Sequence, residues 1–221
     1  MRVSSETTAR QAKAEPQILP QATIDLIRPV FGLMGRGFWN LKSTGLENVP
    51  LKGGLIIASN HQSYLDPFLI GTPIKRPLRF LAWNEALEWP VAGKVMKLMG
   101  AWPLHLQGSD PAAIRRSIQW LREGGALVIF PEGGRGLPNG SMVRFKGGAV
   151  RLALEAGVPI LPVTIRGANR VWPAGQRVPR MGKIEVVYHP LHYVRQNEGE
   201  EARECARRES DRLAEIIRSA L

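Results

Sequence analysis

In the segment Asn60-His61-Gln62-Ser63-Tyr64-Leu65-Asp66 an imidazole is followed five positions later by a carboxylate. A histidine ring held by a carboxylate suits the removal of a hydroxyl proton near neutral pH. Asp66 would fix the ring tautomer and stabilise the imidazolium that forms when the proton arrives. If the hydroxyl belongs to a substrate, no nucleophile is needed from the protein. Asp66-Pro67 ahead of Phe68-Leu69-Ile70 also reads as a helix N-cap followed by proline at the first helical position. The two roles are compatible, because a capped backbone would aim the carboxylate. A second loop, Phe130-Pro131-Glu132-Gly133-Gly134-Arg135-Gly136, combines glycines with one carboxylate and one guanidinium. Its backbone N–H groups and Arg135 suit a phosphate or carboxylate, and the same pattern equally describes an ordinary turn with a solvated arginine. No Gly-Lys-Ser/Thr follows, so the loop is not an ATP P-loop.

Both loops follow strongly apolar runs, which predicts their place. Leu55 to Ala58, Arg79 to Ala82, Ala126 to Phe130, Ile160 to Ile165 and Ile184 to Tyr188 read as strands, most of them buried on both faces. Helical patterns separate them at Pro67 to Gly71, Glu85 to Met99, Pro111 to Glu123 and Lys146 to Ala156. This alternation predicts an α/β fold, a central mostly parallel sheet flanked by helices. Ligands of such folds bind at the carboxyl ends of the strands, where His61 and Glu132 fall.

The termini frame this domain, expected over 42–198. Residues 1–19 read as a disordered basic tail, with no apolar stretch of signal-peptide length. Residues 20–41 carry Ile24, Ile27, Phe31 and Met34 at helical spacing, interrupted by Asp25, Arg28 and Arg36. They fall short of an uninterrupted membrane span and fit an amphipathic helix lying on a membrane; packing on the core matches the same spacing. Residues 199–221 form a charged amphipathic helix that packs Leu213, Ile216 and Ile217 inward.

The formal net charge of +11, from 30 Lys and Arg against 19 Asp and Glu, points to an anionic partner. A phospholipid surface and a phosphorylated substrate both qualify. The basic residues are dispersed and no nucleic-acid-binding motif is present, which argues against nucleic acid. Cys205 is the only cysteine, so there is neither a disulfide framework nor a thiolate metal site.

Taken together, His61 to Asp66, Phe130-Pro131-Glu132-Gly133 with Arg135, and Val158-Pro159-Ile160-Leu161-Pro162-Val163 resemble, in order, the motif blocks of the glycerolipid acyltransferase family. Glu85 with Pro90 and Gly93, the Gly100-Ala101-Trp102-Pro103 turn and Phe145-Lys146-Gly147-Gly148 extend the resemblance over roughly Gly45 to His192. It implies transfer of a fatty acyl group from acyl-CoA or acyl-ACP to the free hydroxyl of a lysophospholipid, foremost 1-acyl-sn-glycerol-3-phosphate. On that implication His61 is the general base and Asp66 its orienting partner. Glu132 and Gly133 shape the acceptor pocket and Arg135 holds its phosphate. The resemblance also implies no metal or other cofactor, and a membrane-associated protein on the cytoplasmic face with an N-terminal helical pair on the bilayer.

Two positions depart from the pattern. Members acting on lysophosphatidic acid commonly carry a lysine two residues before the glutamate matched by Glu85, and an arginine closing the block that starts at Gly100. Here those positions hold Trp83 and Leu106. Lys146 and Arg144 are the expected substitutes, with His105 a further donor if protonated. The departures keep two other readings open: a different lyso acceptor of the ornithine or glycolipid type, and a non-catalytic basic protein of the same fold bound to anionic membrane.

Overall fold

The computed structural model describes residues 18–105, 110–137, 139–173, 176 and 178–221. Residues 1–17 of the expected tail, and Leu106, lie outside them. Seven strands form one sheet: β1 (Lys42–Thr44), β2 (Leu55–Ser59), β3 (Leu78–Trp83), β4 (Ala101–Leu104), β5 (Ala126–Ile129), β6 (Ile160–Arg166) and β7 (Glu185–Tyr188). Their spatial order is β1-β7-β6-β2-β5-β3-β4. The block from β6 to β4 is parallel throughout, and β7 runs antiparallel to β6 while pairing parallel with β1.

Helices cover both faces of this sheet. They are α1 (Gln21–Trp39), α2 (Asp66–Gly71), α3 (Ala92–Leu98), α4 (Pro111–Arg122), α5 (Gly148–Ala156), α6 (Ala168–Val171) and α7 (Ala202–Arg218). Strand alternation divides the core in two. Leu55, Ile57, Ala126 and Val128 face α2, where Leu69 and Ile70 pack, whereas Ile56, Ala58, Leu127 and Ile129 face α4, α5 and α7. Every residue of β2 is buried, as a strand between two neighbours and under two helical layers must be.

The structure corrects several expectations from the sequence. The helix expected over Glu85 to Met99 is a 3-10 turn, Asn84–Glu88, followed by α3, because Pro90 cannot continue a helix. The Gly100 to Pro103 segment, expected as a turn, is β4. Its proline is tolerated because β4 is an edge strand, with β3 as its only neighbour among the described residues. Of the expected N-terminal helical pair, the described residues hold one helix, α1, with Pro29 inside it, and residues 1–17 lie outside them. Among the described residues no helix is long and apolar enough to cross a membrane.

The helix boundary at α4 is set by Asp110, whose carboxylate accepts the Ala113 N–H at 3.0 Å and the His105 ring nitrogen at 2.9 Å. Burial pushes its carboxyl up, but the hydrogen bonds from Ala113 and His105 outweigh that and bring it down to about 2. A depressed carboxylate contributes stability above its unfolded value, and the contribution is lost as the pH falls through about 2. Asp110→Ala is therefore expected to cost about 0.5–2 kcal/mol at neutral pH. Denaturant titrations should show the difference from the parent narrowing as the pH approaches 2.

Candidate active site

His61 and Glu132 sit on adjacent loops because β2 and β5 are paired in register, Leu55 opposite Ala126 through Ala58 opposite Ile129. Both strands then end at the same edge of the sheet. Asn60 locks the first loop there. Its side-chain amide donates to the Ile165 carbonyl and accepts the Ile165 N–H, both at 2.8 Å, so a fully buried side chain continues the sheet ladder onto β6.

From that anchor the chain turns so that His61 Nδ1 lies 2.7 Å from Asp66 Oδ2. The same oxygen accepts the backbone N–H of Gln62 at 2.5 Å and of Ser63 at 2.8 Å. Asp66 opens α2 but makes no capping bond to it; the N–H groups of Phe68 and Leu69 go to the Leu65 carbonyl. The capping expectation is thus corrected. Proline at the second helical position removes one orphan donor, and the carboxylate, freed from capping, points back at the histidine loop. Since a carboxylate accepts only, Nδ1 carries the proton and Nε2 is left as the basic nitrogen. The ring is stacked on Phe130 with centroids 4.1 Å apart and planes at 20°. Two contacts, one polar and one apolar, therefore fix the imidazole.

Glu132 fastens the two loops to each other. It is 5% exposed, and its Oε1 accepts the His61 N–H at 2.7 Å while Oε2 accepts the Val143 N–H at 2.8 Å. The Gly136 N–H in turn donates to the His61 carbonyl at 2.7 Å. Burial pushes the Glu132 carboxyl above its ordinary range, and the bonds from Val143 and His61 offset only part of that rise. Both oxygens are engaged by backbone, so Glu132 acts on the site by holding His61 in place. Glu132→Gln must set an amide NH2 against one of the two N–H donors. A loss of about 1–3 kcal/mol in stability is expected, together with a drop in turnover, readable by thermal melts and initial rates.

Gly133 adopts φ +72 and Gly136 leaves room for no side chain, since a Cβ there would lie 2.9 Å from the Ser141 carbonyl oxygen. These glycines let the loop close tightly over His61. Beside them Arg135 rests its guanidinium on the Tyr64 ring, 4.0 Å from the centroid, and Tyr64 packs in turn on Trp89 and Trp172. Arg135 has no carboxylate partner among the described residues.

His61 and Arg135 both line a largely apolar cavity of about 430 Å³, roofed by α1 and continuing between α2, α3, β3 and β4. Ile24, Ile27 and Phe31 form its α1 wall, Phe68 and Phe80 face them, and Met96 closes one side. Three arginines reach the lining. Arg76 is committed to the carbonyls of Pro50, Gly53 and Gly124, and Arg28 pairs with Asp25. Arg135 alone of the three has neither a carboxylate nor a carbonyl partner among the described residues.

The remaining expected site residues fall in different places. Lys146 lies against Gly133, where a Cβ would meet its ammonium at 2.5 Å. Arg144 lines a separate depression between α5 and α7, and Trp83 lines the cavity and is half exposed. His105 pairs with Asp110 outside the cavity. Among the described residues no group of three or more His, Cys, Asp or Glu is placed to hold a metal ion. Sequence reasoning missed Asn60, Tyr64 and Arg28. Asn60 and Tyr64 lie inside the histidine segment, but their partners are distant in sequence and no spacing reveals them.

The model of one protein family, described as Acyltransferase, matches residues 40–166, more than half of the chain. This chain belongs to the Acyltransferase family. Curated relatives include the chloroplastic 1-acyl-sn-glycerol-3-phosphate acyltransferase of Arabidopsis thaliana, 30% identical over 70% of this chain and 44% of that protein. Those of Borreliella burgdorferi and Pseudomonas aeruginosa are 36% and 33% identical over 57% and 73% of this chain, and over 51% and 62% of their own lengths. The alignments thus span about half the length of these relatives. The crystal structure of the 1-acyl-sn-glycerophosphate (LPA) acyltransferase PlsC from Thermotoga maritima superposes with a TM-score of 0.70, at 24% identity, over 90% of this chain and 77% of that one. The Acyltransferase match covers both polar loops, and the superposition gives the same α/β layering around a mostly parallel sheet.

Proposed function

We propose that this acyltransferase-family chain moves a fatty acyl group from a thioester, acyl-CoA or acyl-ACP, to the free hydroxyl of 1-acyl-sn-glycerol-3-phosphate. The observation that carries the proposal is the joint lining of one apolar cavity by the carboxylate-held His61 and by Arg135. The apolar walls suit an acyl chain, the guanidinium suits the acceptor phosphate, and Nε2 of His61 takes the hydroxyl proton. The hydroxyl oxygen then attacks the thioester carbonyl, and collapse of the tetrahedral intermediate breaks the carbon–sulfur bond. The imidazolium returns its proton to the departing thiolate, so the enzyme ends as it began. The names of the relatives support this acceptor.

A membrane surface is part of the proposal. Leu26, Val30 and Leu33 share one face of α1, at 77%, 59% and 73% exposure, and Val91 and Val95 are exposed on and beside α3. A lipid surface would cover these side chains, and a lyso acceptor would enter the cavity from it. An anionic lipid surface also suits the net charge of +11. The second reading, a lyso acceptor of the ornithine or glycolipid type without a terminal phosphate, is favoured by Trp83 on the cavity lining, at the position where the family resemblance implies a lysine.

A panel of lyso acceptors with one labelled acyl donor separates the two. The phosphate-bearing acceptor should be preferred, and Arg135→Ala should raise its KM about tenfold to a hundredfold while leaving neutral acceptors nearly unchanged. An equal loss on neutral acceptors would remove Arg135 from phosphate recognition.

A further inference from the structure

On the face of the sheet opposite α1, four arginines surround a depression of about 200 Å³ between the start of α5 and α7. Arg203 and Arg207 stand one turn apart on α7. Arg151 comes from the first turn of α5, and Arg144 from the strand of loop that leads into it. None of the four has a hydrogen-bonded or ion-paired side chain among the described residues, and Asp211 is the single carboxylate in the lining. Like charges held this close repel, and nothing in the packing requires them, since all four are exposed. A cluster of unpaired guanidiniums is a surface that waits for anions.

Its position relates it to the reacting groups. Val143 donates to Glu132 and Lys146 donates to the Pro131 carbonyl, so the segment that carries Arg144 and Phe145 is pinned at both ends to the loop over His61. The depression therefore adjoins the active site from the side away from the exposed apolar face of α1. α1 packs on α2 on one side of the sheet, whereas α5 and α7 pack on the other. A partner in solution can therefore reach it without meeting the apolar face of α1.

We infer that this cluster docks the acidic face of the protein that carries the acyl thioester; the inference rests on the thioester-transfer reading above. A helix presenting carboxylates one turn apart matches Arg203 and Arg207 along α7, with Arg144 and Arg151 receiving its flanks. The nucleotide of coenzyme A fits less well. Phe145, the aromatic residue of the lining, is only 5% exposed, so no ring face is offered to adenine, and the four charges are spread over α7, α5 and the loop before α5 rather than gathered around one phosphate.

The test is the double variant Arg203→Glu/Arg207→Glu of the full chain, melted beside the parent to show an intact fold. With acyl-carrier protein as donor, KM is expected to rise at least about tenfold, while kcat and the KM for acyl-CoA stay unchanged. The parent's KM for the carrier donor should also climb with salt, within a Debye length of about 10 Å at 0.1 M. An equal rise in KM for acyl-CoA would assign the cluster to the nucleotide phosphates and overturn the inference. So would unchanged constants with both donors, or a loss of binding to anionic vesicles with constants intact. If the parent transfers from neither donor, the thioester reading itself fails, and direct titration of labelled acyl-carrier protein decides the docking surface. Binding to the parent but not to the variant upholds it, and no binding to the parent ends it.

Discussion

The His61→Ala protein is expected to fold and to transfer acyl groups about 10²- to 10⁴-fold more slowly than the parent. The rate loss follows from the geometry. Nδ1 is held by Asp66, so Nε2 is the imidazole nitrogen left to act as base among the described residues of the cavity wall, and the alanine protein must rely on water to take the hydroxyl proton. At 1.36 kcal/mol per tenfold, the expected range is about 3–5 kcal/mol of lost transition-state stabilisation. Folding should be spared for a separate reason. Removing the ring leaves Asp66 Oδ2 still accepting from Gln62 and Ser63, and the bond from His61 to Glu132 uses the backbone N–H, which alanine retains. The stacking on Phe130 is lost, at a cost of about 1 kcal/mol. Melting curves near the parent's with turnover collapsed would fit a chemical role. A variant with near-parental turnover would remove His61 from the mechanism.

The features that could be read in the sequence are those encoded locally. The apolar runs at Leu55, Ala126 and Ile160 are continuous because these strands are covered on both faces, so their type and place are visible without a structure. The two polar loops are visible for the same reason, as they follow those runs. Strand β1 is not visible: Lys42-Ser43-Thr44 is three polar residues, and its partner β7 lies far along the chain. Strand β4 is hidden by Pro103, which in a short segment signals a turn unless the edge position is known.

The site was legible to a similar depth. Residue types at His61, Asp66, Glu132 and Arg135 could be read, but their contacts could not. Glu132 looks like a pocket residue from its glycine-rich setting, whereas both its oxygens go to backbone on two sides. Asp66 looks like a cap because a proline follows it, and only the folded turn shows the carboxylate reversed. For α1 the sequence offered an interfacial helix and a core-packed helix as rivals. Ile24, Ile27 and Phe31 line the cavity while Leu26, Val30 and Leu33 face outward, so the helix is apolar on two sides and its spacing satisfied both templates.

Two substitutions at Asp66 should separate its charge from its hydrogen bonds. The residue is fully buried, and one oxygen serves three donors while Oδ1 has no partner. In Asp66→Asn the amide oxygen can take the place of Oδ2 and keep all three donors, with the NH2 in the unoccupied direction of Oδ1. The fold then loses only the cost of one buried, unpaired NH2, about 1–3 kcal/mol. Catalysis loses the negative charge that offsets the imidazolium formed in the transition state, so kcat is expected to fall about 10²- to 10⁴-fold with KM little changed. Asp66→Ala removes the acceptor as well. It strands the N–H groups of Gln62 and Ser63 in the interior, which should cost about 1–3 kcal/mol each and loosen the loop that carries His61. The asparagine protein should therefore melt well above the alanine protein while being nearly as inactive. If the asparagine protein instead kept parental kcat, Asp66 would be a scaffold for the turn, and the charge would have no part in moving the proton.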